Sequence, residues 1–123
     1  MPVKNILVVD DSPTERFFSV DLLTKAGYQV STAENGEEGI AKAKATLPDL
    51  ILMDVVMPGL NGYQATRTLT RDEQTKNIPV IVCTSKGQET DKIWGLRQGA
   101  ADYIVKPVNA DELLSKIKAF DSA

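Results

Sequence analysis

Two short stretches of this chain, Ile6-Leu7-Val8-Val9 and Leu50-Ile51-Leu52-Met53, are apolar at every position. A strand with one wet face alternates apolar and polar residues. A strand with no polar position must be covered on both faces, which is the situation of a parallel sheet between helical layers. The strands are predicted at Asn5–Val9, Tyr28–Ala33, Leu50–Met53, Val80–Cys83 and Tyr103–Val105, separated by longer segments of helical period. Those segments carry start signals. Ser12-Pro13-Thr14-Glu15 reads as a capping box with proline in the first helical position, and Asn35, Asn61 and Asn109 each stand three residues ahead of Glu or Gln. Gly27 and Gly99 follow helical stretches as C-terminal caps, and Pro48 and Pro79 stand just ahead of strands.

The order is therefore strand and helix alternating five times. This gives an α/β fold with a doubly wound, five-stranded parallel sheet and five helices, and five strands suit the flavodoxin-like order 2-1-3-4-5. Ligands of such sheets bind beyond the carboxyl ends of the strands, where the order reverses.

Composition narrows the chemistry. At 123 residues there is room for one domain, with 1–123 read as a single module whose core runs from about residue 4 to 120. Apolar residues at 42% and charged residues at 25% exclude a disordered chain. A net charge of -3 argues against nucleic acid or anionic lipid as the partner. One cysteine, Cys83, excludes an internal disulfide, and its apolar strand makes it a small buried hydrophobe. With no histidine, structural zinc and histidine-based hydrolysis are both excluded, so any metal must be a hard, oxygen-ligated cation. The apolar run after Asn5 is too short for a secretory signal or a membrane span, so the protein is expected in the cytoplasm. No Pro/Gly/Ser-rich linker or repeat leads to an output domain.

Strand one ends at Asp10-Asp11, strand three at Asp54, strand four at Thr84-Ser85 and strand five at Lys106-Pro107. Singly, each has an ordinary explanation: a turn former, a helix cap, a last strand residue, a solvated lysine. The topology brings all of them to one edge of the sheet. Three carboxylates against one ammonium leave two negative charges in one cleft, which a divalent cation cancels, and Mg²⁺ suits an all-oxygen site that keeps several waters. Asp54 can attack phosphorus and become an acyl phosphate, with Lys106 and the Thr84 hydroxyl holding phosphoryl oxygens.

These residues resemble the receiver domain of bacterial two-component response regulators, of CheY-like fold. The shared motifs are the run from Ile6 through Asp10-Asp11-Ser12, Leu52-Met53-Asp54-Val55-Val56-Met57-Pro58-Gly59-Leu60-Asn61-Gly62, Val82-Cys83-Thr84-Ser85, and the run from Gly99 to Pro107. The resemblance implies that Asp54 is the phosphoacceptor, that Asp10, Asp11 and Asp54 bind Mg²⁺ with the Val56 carbonyl, and that Lys106 grips the phosphoryl group. It also implies that Thr84 is the switch hydroxyl and Tyr103 the switch aromatic, and that the Lys106-Pro107 bond is cis. The phosphodonor would be a histidine kinase of chemotaxis type. A downstream protein would read the face built from the helix after strand four, strand five and the last helix. Such a protein is a phosphoacceptor that assists its own phosphorylation and dephosphorylation rather than an enzyme, and it is expected to be monomeric.

The segments Asp11–Glu15, Met57–Arg67 and Gln88–Gly95 further resemble the PilH-type single-domain regulators of type IV pili and twitching motility, most of all around Trp94. Flagellar chemotaxis receivers are the nearest alternative. Val56 is apolar where some receivers carry a polar residue, and Lys86 places a cation near the mouth of the site; both positions bear on phosphoryl lifetime. Trp94 reads equally as packing or as a partner contact. Two other classes compete. A flavin or nucleotide binder needs a phosphate-cradling loop after strand one, where Asp10-Asp11 stands instead. A Mg²⁺-dependent phosphatase needs a cap for which this chain has no room. The sequence does not choose between an output switch and a phosphate sink.

Overall fold

The computed structural model describes residues 3–55, 57, 59–84, 96–106 and 108–121. In chain order these form β1 (Asn5–Val9), α1 (Pro13–Lys25), β2 (Gln29–Ala33), α2 (Gly36–Thr46), β3 (Leu50–Asp54), α3 (Gly62–Arg71), β4 (Val80–Thr84), β5 (Asp102–Val105) and α4 (Ala110–Asp121). The strands pair in parallel in the order β2-β1-β3-β4-β5, as the alternation predicts. The helix expected between β4 and β5 falls outside the described residues except for Leu96 and Arg97, which are helical. Val56, Trp94, Lys86, Ser85 and Pro107, with the expected cis bond, also lie outside them.

Side chains alternate across the sheet and sort the core into two layers. Leu7 and Val9 of β1, Ile51 and Met53 of β3, and Val80 and Val82 of β4 pack with Ala43 of α2 and Ala65 and Leu69 of α3. Ile6 and Val8, Leu50 and Leu52, and Ile81 and Cys83 face the other way, against Leu23 of α1 and Leu113 and Ile117 of α4. Every residue of β3 and β4 is buried. This is why those runs tolerate no polar position until their last residue. β2, at the edge, alternates between partly buried and exposed residues up to Ala33.

Two strands extend one residue past their apolar runs, to Asp54 and Thr84. The ladder explains this: Asp54 pairs with Cys83, and Thr84 pairs with Val105. The Thr84 carbonyl then accepts the Lys106 N–H at 2.7 Å. Tyr28, read as part of β2, instead closes α1. Its N–H bonds the Leu23 carbonyl at 3.1 Å while Gly27 N–H bonds that of Thr24 at 3.0 Å. Gly27 sits at φ 102, the left-handed turn that this C-terminal motif requires.

The helix starts behave as expected, with one informative exception. Asn61 and Gln64 form a complete capping box. Asn35 and Asn109 each accept the N–H of the glutamate three residues on, at 2.8 and 3.0 Å. Ser12 likewise accepts from Glu15 N–H at 3.3 Å. The Glu15 carboxylate, however, turns away from the cap and toward Lys106.

Candidate functional site

Alternation within the strands decides what meets at the carboxyl edge. Asp10 continues the face of Ile6 and Val8, Asp54 that of Leu50 and Leu52, and Lys106 that of Ile104. All three therefore emerge on the α1/α4 side. Lys106 Nζ lies 2.8 Å from Asp54 Oδ1 and 3.7 Å from Asp10 Oδ2. Its closest partner is one the sequence reading missed: Glu15 Oε2, at 2.6 Å. The carboxylates of Asp10, Glu15 and Asp54 offer oxygens that all lie within 4.8 Å of one another. Glu15 went unnoticed because its spacing from Ser12 was fully explained as a capping box.

The backbone holds these groups in place. Asp10 N–H bonds the Ala33 carbonyl, and Asp10 Oδ1 accepts Ser12 N–H at 2.9 Å. Arg16 donates to the Asp10 carbonyl at 2.7 Å, which ties the first turn of α1 to the end of β1. On the other side, Gly62 N–H bonds the Val55 carbonyl, and a Cβ on Gly62 would come 2.1 Å from the Asp54 carbonyl oxygen. Only glycine lets α3 start this close to the acidic strand end. A cavity of about 350 Å³ opens beside Asp54 and Lys106, floored by Val8, Leu52 and Cys83 and flanked by Phe18 and Leu113.

Burial and charge act against each other here. Burial, with the Asp54 and Glu15 charges, raises the Asp10 pKa to about 6 against the pull of Ser12 N–H and Lys106. Burial also raises that of Asp54, opposed by Lys106 and reinforced by Glu15 and Asp11. Hydrogen bonding to Lys106 lowers that of Glu15. Burial alone would weaken the Lys106 ammonium, but its bonds to Asp54 and Glu15 outweigh that and raise its pKa. Cys83 is pushed up to about 12 by burial, an unreactive thiol in the floor of the site.

Asp11 is exposed and stands outside the three-carboxylate group, although its charge reaches Asp54. Thr84 is buried, on the sheet face opposite Asp54 by alternation. Tyr103 is half-buried against that same layer, and its register partner Val82 lies two residues from Thr84. Lys116 Nζ sits 4.9 Å from the Tyr103 ring centre and 3.0 Å from Asp102. The structure thus gathers Asp10, Asp54 and Lys106 into one cluster and sets Thr84 and Tyr103 together behind it.

A crowd of carboxylates around one lysine fits a hard cation by its chemistry: oxygen donors only, part-buried, with negative charge in excess. Comparison with known proteins decides the family. The response regulator receiver domain model matches residues 6–118. This chain belongs to the response regulator receiver domain family. Receivers similar to it include Protein PilH of Pseudomonas aeruginosa, 59% identical over 114 residues, which cover 93% of this chain and 94% of that protein. The phosphate regulon transcriptional regulatory protein PhoB of the same species is 45% identical over 94% of this chain, which spans only about half (51%) of PhoB. Among solved receiver structures, chemotaxis protein CheY4 of Vibrio cholerae superposes with a TM-score of 0.90 at 33% identity, covering 96% of this chain and 98% of that one. The receiver domain of a P. aeruginosa sensor histidine kinase, solved with a magnesium ion coordinated in its active-site cleft, gives 0.90 at 30% identity over 98% and 99%.

Proposed function

We propose that this receiver is a single-domain response regulator that accepts a phosphoryl group from a histidine kinase onto Asp54. The observation that carries the reading is the Asp54–Lys106 contact of 2.8 Å inside a part-buried acidic cluster at the carboxyl edge of the sheet. Lys106 holds the acceptor carboxylate in place and is the ammonium that donates to the phosphoryl oxygens after transfer. Asp10 and Asp54, with Asp11 and the Val56 carbonyl, are the proposed Mg²⁺ ligands. When bound, the metal supplies positive charge to oxygens gathering negative charge during transfer. Val8, Leu52 and Cys83 give the cavity beside the acceptor an apolar floor.

Thr84 and Tyr103 are the proposed relay. A phosphoryl group on Asp54 draws the Thr84 hydroxyl toward it, and Tyr103 moves into the space left. The face of β5 and α4, with the segment after β4, then changes for a downstream partner. Differential affinity of this kind is typically ~1–3 kcal/mol, so some activity without phosphate is expected. The same chemistry serves a phosphate sink that competes for its kinase.

The match to PilH over 94% of that protein supports reading the chain as a single-domain receiver of the PilH type, for which we propose a type IV pilus or twitching pathway, a chemotaxis-type kinase, a cytoplasmic location and a monomeric state. The likeness to the chemotaxis protein CheY4 is weaker, at 33% identity. Among the described residues, no helix is long and apolar enough to cross a membrane.

Acetyl phosphate with Mg²⁺ should label the wild-type protein and leave Asp54→Asn unlabelled, since the amide keeps the shape but not the nucleophile. Full labelling of the variant would refute the assignment. Phosphotransfer profiling against histidine kinases of the source organism then names the donor.

A further inference from the structure

Resting on the phosphoacceptor reading, we infer that Glu15 is a positioning residue that latches Lys106 before phosphorylation by occupying, with its own carboxylate, the place a phosphoryl oxygen must take. Three observations support this. Glu15 is the nearest partner of Lys106, at 2.6 Å, closer than the acceptor itself at 2.8 Å. Its carboxylate offers an oxygen within 4.8 Å of oxygens of Asp54 and Asp10, and Glu15, Asp54 and Lys106 line the same cavity. And it is the outermost member, with its side chain 47% exposed against 16% for Lys106 and 6% for Asp54. The inner carboxylates are fixed by strand ends, whereas Glu15 can swing into solvent.

Its backbone does not swing. Ser12 caps the first turn of α1, Pro13 opens it, and Arg16 ties it to the Asp10 carbonyl. The latch is therefore a side-chain motion on a fixed base. In transfer, an Asp54 carboxylate oxygen bonds to phosphorus while the donor's bond to phosphorus breaks and the leaving group keeps that electron pair. The new phosphoryl oxygens then need Lys106, and two anionic groups cannot share one side of the ammonium without repulsion. Glu15 must release it. The contact exists only before phosphorylation, so it favours the unphosphorylated state and weakens the hold on the phosphoryl group.

Beryllofluoride, a non-covalent phosphoryl mimic, tests this by calorimetric titration at saturating Mg²⁺. Glu15→Gln should bind it ~5-fold tighter than wild type, the size of one partly exposed ion pair. Glu15→Asp keeps the charge but is one methylene too short to reach Lys106, and it should tighten binding to a similar extent. Both variants should also take phosphate from acetyl phosphate with a higher kcat/KM, mainly through a lower KM. Wild-type affinity in Glu15→Asp alone would reduce the effect to general charge and overturn the latch. Unchanged or weaker binding in Glu15→Gln would overturn it too, weaker binding pointing instead to Glu15 as a metal ligand. A wild-type protein that binds no beryllofluoride at all would bring down the phosphoacceptor reading itself.

Discussion

Asp10→Asn should stabilise the metal-free protein, although it removes a buried partner of Lys106. Burial and the Asp54 and Glu15 charges raise the Asp10 pKa from 3.8 to about 6. An acid whose folded pKa is raised contributes stability that is fully present below pH 3.8 and is lost as pH rises through about 6. At pH 7.5 the whole difference, about 2 units or ~3 kcal/mol at 1.36 kcal/mol per unit, is an upper bound on what the charge costs. Asn avoids that cost and still offers an oxygen to Ser12 N–H, and the pull of Lys106 on the carboxylate is already contained in the shift. A gain on the order of 1 kcal/mol, below that bound, is expected. With an unfolding entropy of ~2.1 cal/mol/K per residue, each kcal/mol raises Tm by about 4 °C for a chain of this length. The assay is thermal unfolding in EDTA at pH 7.5, repeated with 10 mM Mg²⁺. For a ~1 mM site the metal should raise wild-type stability by ~1.4 kcal/mol and the variant far less, closing the gap. In EDTA, wild-type stability should rise as pH falls from 7 to 5, with Asp54 acting in the same direction, and Asp10→Asn should show a shallower slope. The opposing acids, Glu15 and Asp72, have lowered pKa values and lose their contribution only at lower pH. A less stable Asn variant in EDTA, or equal Mg²⁺ gains in both proteins, would refute the charge argument.

Gly62→Ala should cost at least ~2–3 kcal/mol by chemical denaturation, because its methyl would meet the Asp54 carbonyl oxygen at 2.1 Å and Val55 Cα at 2.7 Å. A wild-type midpoint would show that α3 does not start so close to β3. Cys83 should react with iodoacetamide at pH 8 only as fast as the protein unfolds, since its thiol is buried with a pKa near 12; fast labelling of the native protein would contradict its burial. Thr84→Ala should still be labelled by acetyl phosphate, yet the beryllofluoride-induced NMR shifts around Tyr103 and the start of α4 should shrink. Shifts confined to the beryllofluoride contacts in wild type would favour the phosphate sink.

The strands, their parallel order and the edge holding Asp10, Asp54 and Lys106 were legible in the chain. Each follows from local pattern: apolar runs without a polar position, caps at fixed offsets, and a winding rule that leaves few topologies. The resemblance suggested switch roles for Thr84 and Tyr103, and alternation along β4 and β5 accounts for their common face. What the sequence could not provide is the inventory of the site. Glu15 belongs to helix α1, and its local context as a capping residue gave a complete reason for its presence. Only packing of the α1 first turn beside the end of β5 brings it to Lys106, across 91 residues of chain. Asp11, adjacent to Asp10 in sequence, is exposed because neighbouring residues at a strand end point to different sides. The order of residues decides which segments become strands. Which carboxylate reaches the lysine is decided by side-chain direction and helix placement, and those exist only once the layers have packed.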